Sequence, residues 1–528
     1  MNAFNELSEE DISNSITKGN SKSCSLDPIP TTLLKGCLPV LLPTIHTIVN
    51  KSLQQKTMPT SLKQAVVKPL LKKSTLDKEN LKNYRPVSNL PYIGKLIEKV
   101  AIKQMDEHLV TEDLHEPLQS AYTANHSTET ALLKVTNDIL LSLDERKCVL
   151  LVLLDLSAAF DTIDHNVFLA RLTNEYGITD DVRDWMGSYL RSRQQVISIN
   201  SSVSDKIVLD FGFPQGSCIG PFGFKLYTKP LTEIAAKHNV HIHLYADDTQ
   251  LYVPFNPDDS EEALHRLESC IEEIRSWMRI NFLKLNDSKT EFLIIGGKKD
   301  LERVKVNCVK VGDSDVLPST SARNIGAYLD NTMDMKDHIA HTIRSCYYQI
   351  RLIAKIRKFL TMDSAKKIVH AFVSSRLDSL NSLLVKLPDC QLNRLQVIQN
   401  SAARLVTNNK KSCNITPVLK ELHWLPVEHR IDYKILLLVY KCLCGEGPVY
   451  LRALLEHYSP AKAPRSSSQC QLRDFRVQKV YGSRAFAVAG PRLWNKLPLH
   501  IKNSPTVSTF KTAIKTHLFN IYFNAESK

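Results

Sequence analysis

The chain has 528 residues and carries 68 Lys/Arg against 55 Asp/Glu, a formal net charge of +13. At 43% hydrophobic and 23% charged residues it has the composition of a globular protein, roughly three to four domains at ~150 residues each, rather than of a disordered chain. No apolar run reaches the ~18–20 residues of a membrane span, and the acidic opening stretch, Met1 to Asp11, reads against a secretory leader. The 12 scattered Cys read as reduced intracellular thiols, with nucleus or cytoplasm left open.

Residues 1–60 read as helical pieces joined by a turn at 23–30, where Pro28 and Pro30 block continued helix, and 33–53 carry apolar residues at helical spacing. Residues 64–73 read as a strand ending in Lys72 and Lys73, followed by a polar loop up to 83–87. Helices are expected over 93–109 and 127–145, the second with Ser127 or Thr128 as cap and Glu129 or Thr130 behind it. Residues 148–154 form a continuous apolar run of strand length, which suits burial on both faces. Residues 240–253 read as strand, turn and strand around Asp247-Asp248, then a long helix fits 259–280 and a short strand 291–295.

Beyond about Asp330 the strand signals fade, and 336–405 read as helices with basic and apolar residues interleaved. Residues 460–468 look like a linker, and the tail from 469, with Phe486, Trp494 and Phe510, reads as folded and basic. Charge is concentrated: 336–411 hold 14 Lys/Arg against 4 Asp/Glu, and 459–517 hold 11 against 1. Two basic blocks on a mildly acidic remainder point to a polyanion, nucleic acid above all; two solvated helical faces are the plain alternative.

One constellation carries chemistry. Asp155 follows seven apolar residues, where a carboxylate needs partners or a metal. Asp247 and Asp248 sit between two short apolar strands, so neighbouring strands would bring the three carboxylates to one sheet edge, a hard-oxygen set suited to Mg²⁺. Two further pairs, Asp180-Asp181 and Asp258-Asp259, precede helical patterns and read as caps. His241 and His243 alternate with Ile242 and Leu244 and are placed on the outward face of a strand; Cys442 and Cys444 lack a second pair nearby and are not read as a zinc site.

Several ordered blocks then resemble one family, the reverse transcriptases of non-long-terminal-repeat (LINE-type, jockey-like or chicken-repeat-like) retrotransposons. They are Asn83-Tyr84-Arg85-Pro86-Val87-Ser88, His126-Ser127-Thr128-Glu129-Thr130-Ala131, and Asp155 to His165 with Phe160, Asp161 and Asp164 inside. Next come Pro214-Gln215-Gly216-Ser217 with Gly220-Pro221, Tyr245-Ala246-Asp247-Asp248, and Lys284-Leu285-Asn286 with Lys289-Thr290-Glu291. Ile325-Gly326, Leu329-Asp330 and the tail block Ala489-Gly490-Pro491-Arg492-Leu493-Trp494-Asn495 complete the set, so the resemblance covers nearly the whole chain.

The resemblance implies an α+β right-hand polymerase of fingers, palm and thumb with an antiparallel palm sheet and a helical basic C-terminal region. The expected boundaries are 1–53 for an N-terminal helical extension, 54–330 for fingers and palm, 331–411 for a basic thumb and 412–528 for the C-terminal region. It implies an RNA-directed DNA polymerase using two Mg²⁺ ions, an RNA template, a DNA primer and dNTPs, with no membrane partner; a nucleic-acid-binding relic of the same fold is the alternative. Asp155 and Asp247 would hold the metals, with Asp248 as the supporting carboxylate. Phe160 would gate the sugar of the incoming nucleotide, and Gln215 and Gly216 would lie along the nascent base pair, glycine letting the backbone approach nucleic acid. Arg85 and Lys72 (or Lys73) would clamp the triphosphate, and Lys289 would sit near the pyrophosphate.

Three positions depart from the family pattern. Phe213 replaces a small apolar residue, Phe222-Gly223 replaces a Leu-Leu pair, and Thr123 stands near an expected basic residue. These read as drift. No counterpart of the family's amino-terminal endonuclease is seen, so the expectation is a fragment of an element or a gene-model boundary.

Overall fold

The computed structural model describes residues 1–157, 160–200, 202–458 and 470–525. The linker expected at 460–468 lies outside the described residues. The strands that matter for the site are β1 (Gln64–Leu71), β2 (Tyr84–Asn89), β3 (Cys148–Leu154), β4 (Arg193–Ile199), β5 (Ile207–Leu209), β6 (His241–Tyr245), β7 (Asp248–Phe255) and β8 (Glu291–Ile295). Among the described residues no helix is long and apolar enough to cross a membrane.

The chain divides into two compact units. The first comprises Met1–Glu116, Asp155–Ile234 and Glu273–Asn286. Its sheet runs β2–β1–β4, with β2 antiparallel and β4 parallel to β1, and β5 antiparallel on β4. Its core is aromatic: Phe168, Tyr176, Trp185, Tyr189, Phe224 and Tyr227 are all fully buried. Glu98 is buried too, taking hydrogen bonds from the Tyr189 hydroxyl at 3.1 Å and from the backbone N–H groups of Cys218 at 2.5 Å and Ile219 at 3.4 Å. Burial pushes its carboxyl above the ordinary range, against the opposing pull of the Arg193 charge and these donors.

The second unit comprises Pro117–Leu154, Ala235–Glu272 and Asp287–Lys528. Its four-stranded antiparallel sheet has the order β8–β3–β7–β6. β3 is central, and Val149, Leu150, Leu151 and Val152 are fully buried, about 1.5–3 kcal/mol of burial free energy for each large side chain. The helix Thr128–Asp144 shares this core through Leu132, Val135, Ile139 and Leu143; Ser127 caps it in a reciprocal capping box with Thr130.

The same core continues through Ile339 and Ile353, Ile398, Ile435 and Val439, then Phe486, Trp494 and Phe510, so the basic tail is folded as its aromatics predict. A buried carboxylate fixes it: Asp144 accepts the backbone N–H groups of Gln478 at 2.8 Å, Lys479 at 2.6 Å and Gly482 at 3.2 Å. The last strand of this unit, Ala327–Asp330, ends where the strand signals fade, and helices follow from Lys336–Ile356 onward.

Two local readings are corrected. His243 is buried rather than outward: its Nε2 pairs with the Ser120 hydroxyl at 2.9 Å, and burial pushes its pKa down to about 3. Only His241 is exposed, stacked on Tyr252 at 5.1 Å. Asp180 and Asp181 do not cap; they stand in the first turn of Asp180–Leu190, where a carboxylate meets the helix dipole, and Asp181 pairs with Lys56 at 2.6 Å. Asp258 pairs with Arg303, and Asp259 accepts from the Asn256 amide at 2.9 Å.

Candidate active site

The Asp247-Asp248 pair sits where the alternating pattern places it, at a turn between β6 and β7. Tyr245 pairs with Asp248, so Ala246 and Asp247 are the two turn residues and Asp248 opens β7. Ala246 has φ +56°, a left-handed conformation that costs a non-glycine residue roughly 1–2 kcal/mol. The turn is held by Gln119, which is buried. Its Oε1 accepts the N–H of Ala246 at 3.0 Å and of Ala121 at 3.1 Å, and its Nε2 donates to the Ala246 carbonyl at 3.4 Å.

β3 pairs with β7 so that Leu154 faces Thr249, the residue after Asp248. Asp155 is the next residue along the chain from Leu154. The backbone N–H of Asn286 donates to the Asp155 carbonyl at 2.9 Å, and the Asn286 amide reaches the Asp155 Oδ2 at 3.3 Å. Among the described residues no three His, Cys, Asp or Glu side chains stand gathered as a ready metal site. The donor chemistry of Asp155, Asp247 and Asp248, carboxylate oxygen alone, is that of a hard divalent ion.

In the first unit the 214–217 loop lies against β2. The Ser88 N–H donates to the Gln215 carbonyl at 2.7 Å, and the Gln215 amide donates to the two Asp161 carboxylate oxygens at 3.2 and 3.1 Å. Gly216 has φ +124°, and a Cβ there would stand 2.6 Å from the Ser88 carbonyl oxygen. The glycine is therefore required by the protein's own backbone contact with Ser88. Pro86, Ser88, Asp161, Phe213 and Gln215 line a cavity of ≈ 260 Å³.

Strand alternation separates this cavity from the predicted phosphate clamp. Pro86 and Ser88 point to one face of β2 and Arg85 to the other. Arg85 is paired with Leu70, which shares its face with Lys68 and, two residues on, Lys72. Lys68, Leu70, Lys72 and Arg85 are all exposed, so that face is a cationic strip. The Lys72 ammonium donates to the Lys82 carbonyl at 2.7 Å. Lys289 is exposed at the end of the single turn Asp287–Lys289, two residues before β8.

Phe160 is half-buried. Its ring lies 5.0 Å from that of Phe224, and its carbonyl accepts the Phe213 N–H at 2.8 Å. Gly212, at φ +78°, allows this approach: a Cβ there would stand 2.6 Å from the Phe160 oxygen. Two departures from the family pattern also meet here. Phe213 packs edge-on against Phe168 at 5.2 Å, and a Cβ at Gly223 would stand 2.5 Å from the Phe213 ring.

Gln119, Asp161, Glu98 and Asn286 are site-building residues that sequence reasoning did not single out. Asn286 and Asp161 lay within quoted blocks without a role, whereas Gln119 and Glu98 carry no local signal.

Comparison with known proteins places this geometry. Residues 71–329 match the family "Reverse transcriptase (RNA-dependent DNA polymerase)". A probable RNA-directed DNA polymerase from transposon BS of Drosophila melanogaster is 25% identical over 78% of this chain and 46% of its own length. The probable RNA-directed DNA polymerase from transposon X-element of the same species is 23% identical over 74% and 43%. That of mobile element jockey from Drosophila funebris is 23% identical over 67% and 38%. The chain thus spans less than half the length of these curated relatives. Among solved structures, apo telomerase from Candida tropicalis, truncated from its C-terminal domain, aligns at a TM-score of 0.36 and 9% identity over 52% of this chain and 54% of that one, too slight a likeness to carry an argument. Residues 71–329, just under half of the chain, thus match the reverse transcriptase family, and the chain is similar to the RNA-directed DNA polymerases of non-long-terminal-repeat retrotransposons.

Proposed function

We propose that this chain is an RNA-directed DNA polymerase that extends a DNA primer on an RNA template, with fingers, palm and thumb as its working parts. The observation that carries the reading is the carboxylate turn: Asp248 opens β7, and β7 pairs with the strand whose last residue precedes Asp155. In this reading Asp155 and Asp247 hold two Mg²⁺ ions with Asp248 in support. When bound, magnesium supplies activation of the primer hydroxyl and neutralises charge on the departing pyrophosphate.

The chain's own residues supply position and charge. Gln119 and Asn286 orient the turn and Asp155 through the hydrogen bonds given above. Arg85 and Lys72, on one exposed face of β1 and β2, meet the triphosphate, and Lys289 stands toward the pyrophosphate as a proton donor. Phe160 lies under the nucleotide sugar, and Gln215 and Gly216 border the base pair. The helices of 336–411 grip the duplex through phosphate charge.

Primer extension by the purified chain on RNA and DNA templates in Mg²⁺ tests this. Parent protein is expected to extend on RNA, and Asp155→Asn and Asp247→Asn are each expected to abolish extension while retaining duplex affinity, which comes from Lys and Arg elsewhere. Extension by either variant at the parent rate would overturn the metal assignment. A well-folded parent that extends nothing would overturn the activity.

A further inference from the structure

The second unit contains a cavity of ≈ 550 Å³, within the size range of small-ligand sites and formed far along the sequence from the polymerase motifs. Five segments build it: the helix Met362–Val369 with His370 after it, residues 378–381, the 422–425 loop, the helix Val427–Leu443 and the C-terminal helix Val507–Ala525. Lys366, His370, Trp424, Tyr433, Lys511 and Lys515 are among its walls.

Its charge balance is uneven. Arg430 is spent on Asp378, with its Nε donating at 2.7 Å, and Lys434 on Glu129 at 3.1 Å. Lys366, Lys511 and Lys515 have no such carboxylate partner among the described residues. Lys511 and Lys515 are one turn apart on one face of a helix that carries no Asp or Glu at all. Between these cations stand aromatic surfaces: His370 lies 5.2 Å from Trp424, and Tyr433 is half-buried beside them. Two polar atoms of the wall residues are orphaned. The indole N–H of Trp424 and the Oδ1 of Asn381, in side chains 3% and 2% exposed, have no hydrogen-bond partner among the described residues.

We propose that this cavity is a second nucleic-acid site, separate from the polymerase centre, that takes a nucleotide of single-stranded RNA, its phosphate held by Lys511, Lys515 and Lys366 and its base against the aromatic wall. Unpaired cations interleaved with rings are the combination that single strands require, since the charge tracks the backbone and every base has a face to stack. A free anion needs only the lysines, and an apolar ligand only the rings. The site takes bases without reading their identity.

The test uses the full chain and a short fluorescein-labelled single-stranded oligouridine. The variant Lys511→Gln/Lys515→Gln changes two exposed side chains and leaves the buried wall intact. Affinity is expected to fall about tenfold, and the slope of log affinity on log salt to become shallower by about 1.4, at about 0.7 per phosphate contact on a single strand. Extension of a preformed primer-template at saturating concentration is expected to stay at the parent level, which separates this site from the polymerase reading. In parallel, oligo(5-iodouridine) is crosslinked by light and mapped by mass spectrometry, with attachment expected at Tyr433, His370 or His423. Unchanged affinity and slope, or crosslinks that avoid the cavity, would overturn the proposal. Displacement of the oligonucleotide by uridine monophosphate at equal nucleotide concentration would overturn the strand reading in favour of a free-nucleotide site.

Discussion

Gln119→Met replaces the buried amide by an apolar side chain of similar length and leaves two backbone donors, Ala246 N–H and Ala121 N–H, without their acceptor. Each buried orphan costs about 1–3 kcal/mol. Ala246 is only half-buried and can reach water, so the lower end of the range, about 2–3 kcal/mol in all, is the working figure. The Ala246 backbone then keeps its left-handed strain, about 1–2 kcal/mol, with nothing to offset it. The turn relaxes, and Asp247 moves with it. A displacement worth about 1.4 kcal/mol at the transition state is tenfold in rate. Extension kcat on an RNA template is expected to fall tenfold or more and the melting temperature to drop, while duplex affinity holds. Ala246→Gly removes the strain at its source, so in the Gln119→Met background it should recover part of the lost rate although it does little to the parent. Parent-like kcat and stability for Gln119→Met would refute the argument, and so would strict additivity of the two changes, because then the strained turn is not what Gln119 holds.

Phe160→Val tests the gate against plain packing: a rise in rNTP over dNTP incorporation, roughly ten- to hundredfold for about 1–3 kcal/mol of relieved collision, supports the gate, and a lower melting temperature with an unchanged ratio supports packing against Phe224. Gly223→Ala drives a methyl group against the Phe213 ring and should cost about 1–3 kcal/mol, less the gain of up to about 1 kcal/mol from helix propensity; Phe213→Leu in the same chain should restore the melting temperature. His243 is held neutral with its pKa near 3, below the ordinary value of 6.5, so the unfolded chain takes up a proton first and stability falls as pH drops from 6.5 toward 3. His243→Met should flatten that part of a stability-versus-pH curve measured by denaturant unfolding, and an equal slope in both proteins would place the acid sensitivity elsewhere.

The sheet that carries the aspartates was legible because its signals are local. Residues 148–154 are uniformly apolar and strand-length, and the run 241–255 breaks only at its turn. The helix Ile219–Tyr227 was not legible, since Gly220, Pro221 and Gly223 all argue against a helix at that position. It forms because the buried Glu98 accepts the first N–H groups of the helix from 120 residues away and aromatic packing covers its sides. The hairpins Val309–Val311 with Ser314–Val316 and Ser321–Asn324 with Ala327–Asp330 were missed for another reason: strands of three or four residues are too short to show a period. Gln119 was invisible because its partner, Ala246, is 127 positions away. In the helix at 219–227 and at Gln119 the hidden element is a polar group whose meaning is fixed only by a distant backbone.

The same distinction bears on how departures from a family pattern are weighed. Read one at a time, Phe213 and Gly223 look like drift, a large residue where a small one is usual and a missing side chain where leucine is usual. In the structure they are one feature. The Phe213 ring occupies the space that any side chain at 223 needs, down to 2.5 Å from a Cβ, and it is seated edge-on against the buried Phe168. A large side chain on one wall of the core faces none on the other, an arrangement that close-packed interiors accommodate when the total volume is kept. Phe213, Phe222 and Phe224 are all buried around this contact. The Phe213 N–H also holds the Phe160 carbonyl, so the backbone at Phe160 is tied to the same packed pair. The two departures are therefore one packing feature: the large ring at 213 needs the missing side chain at 223.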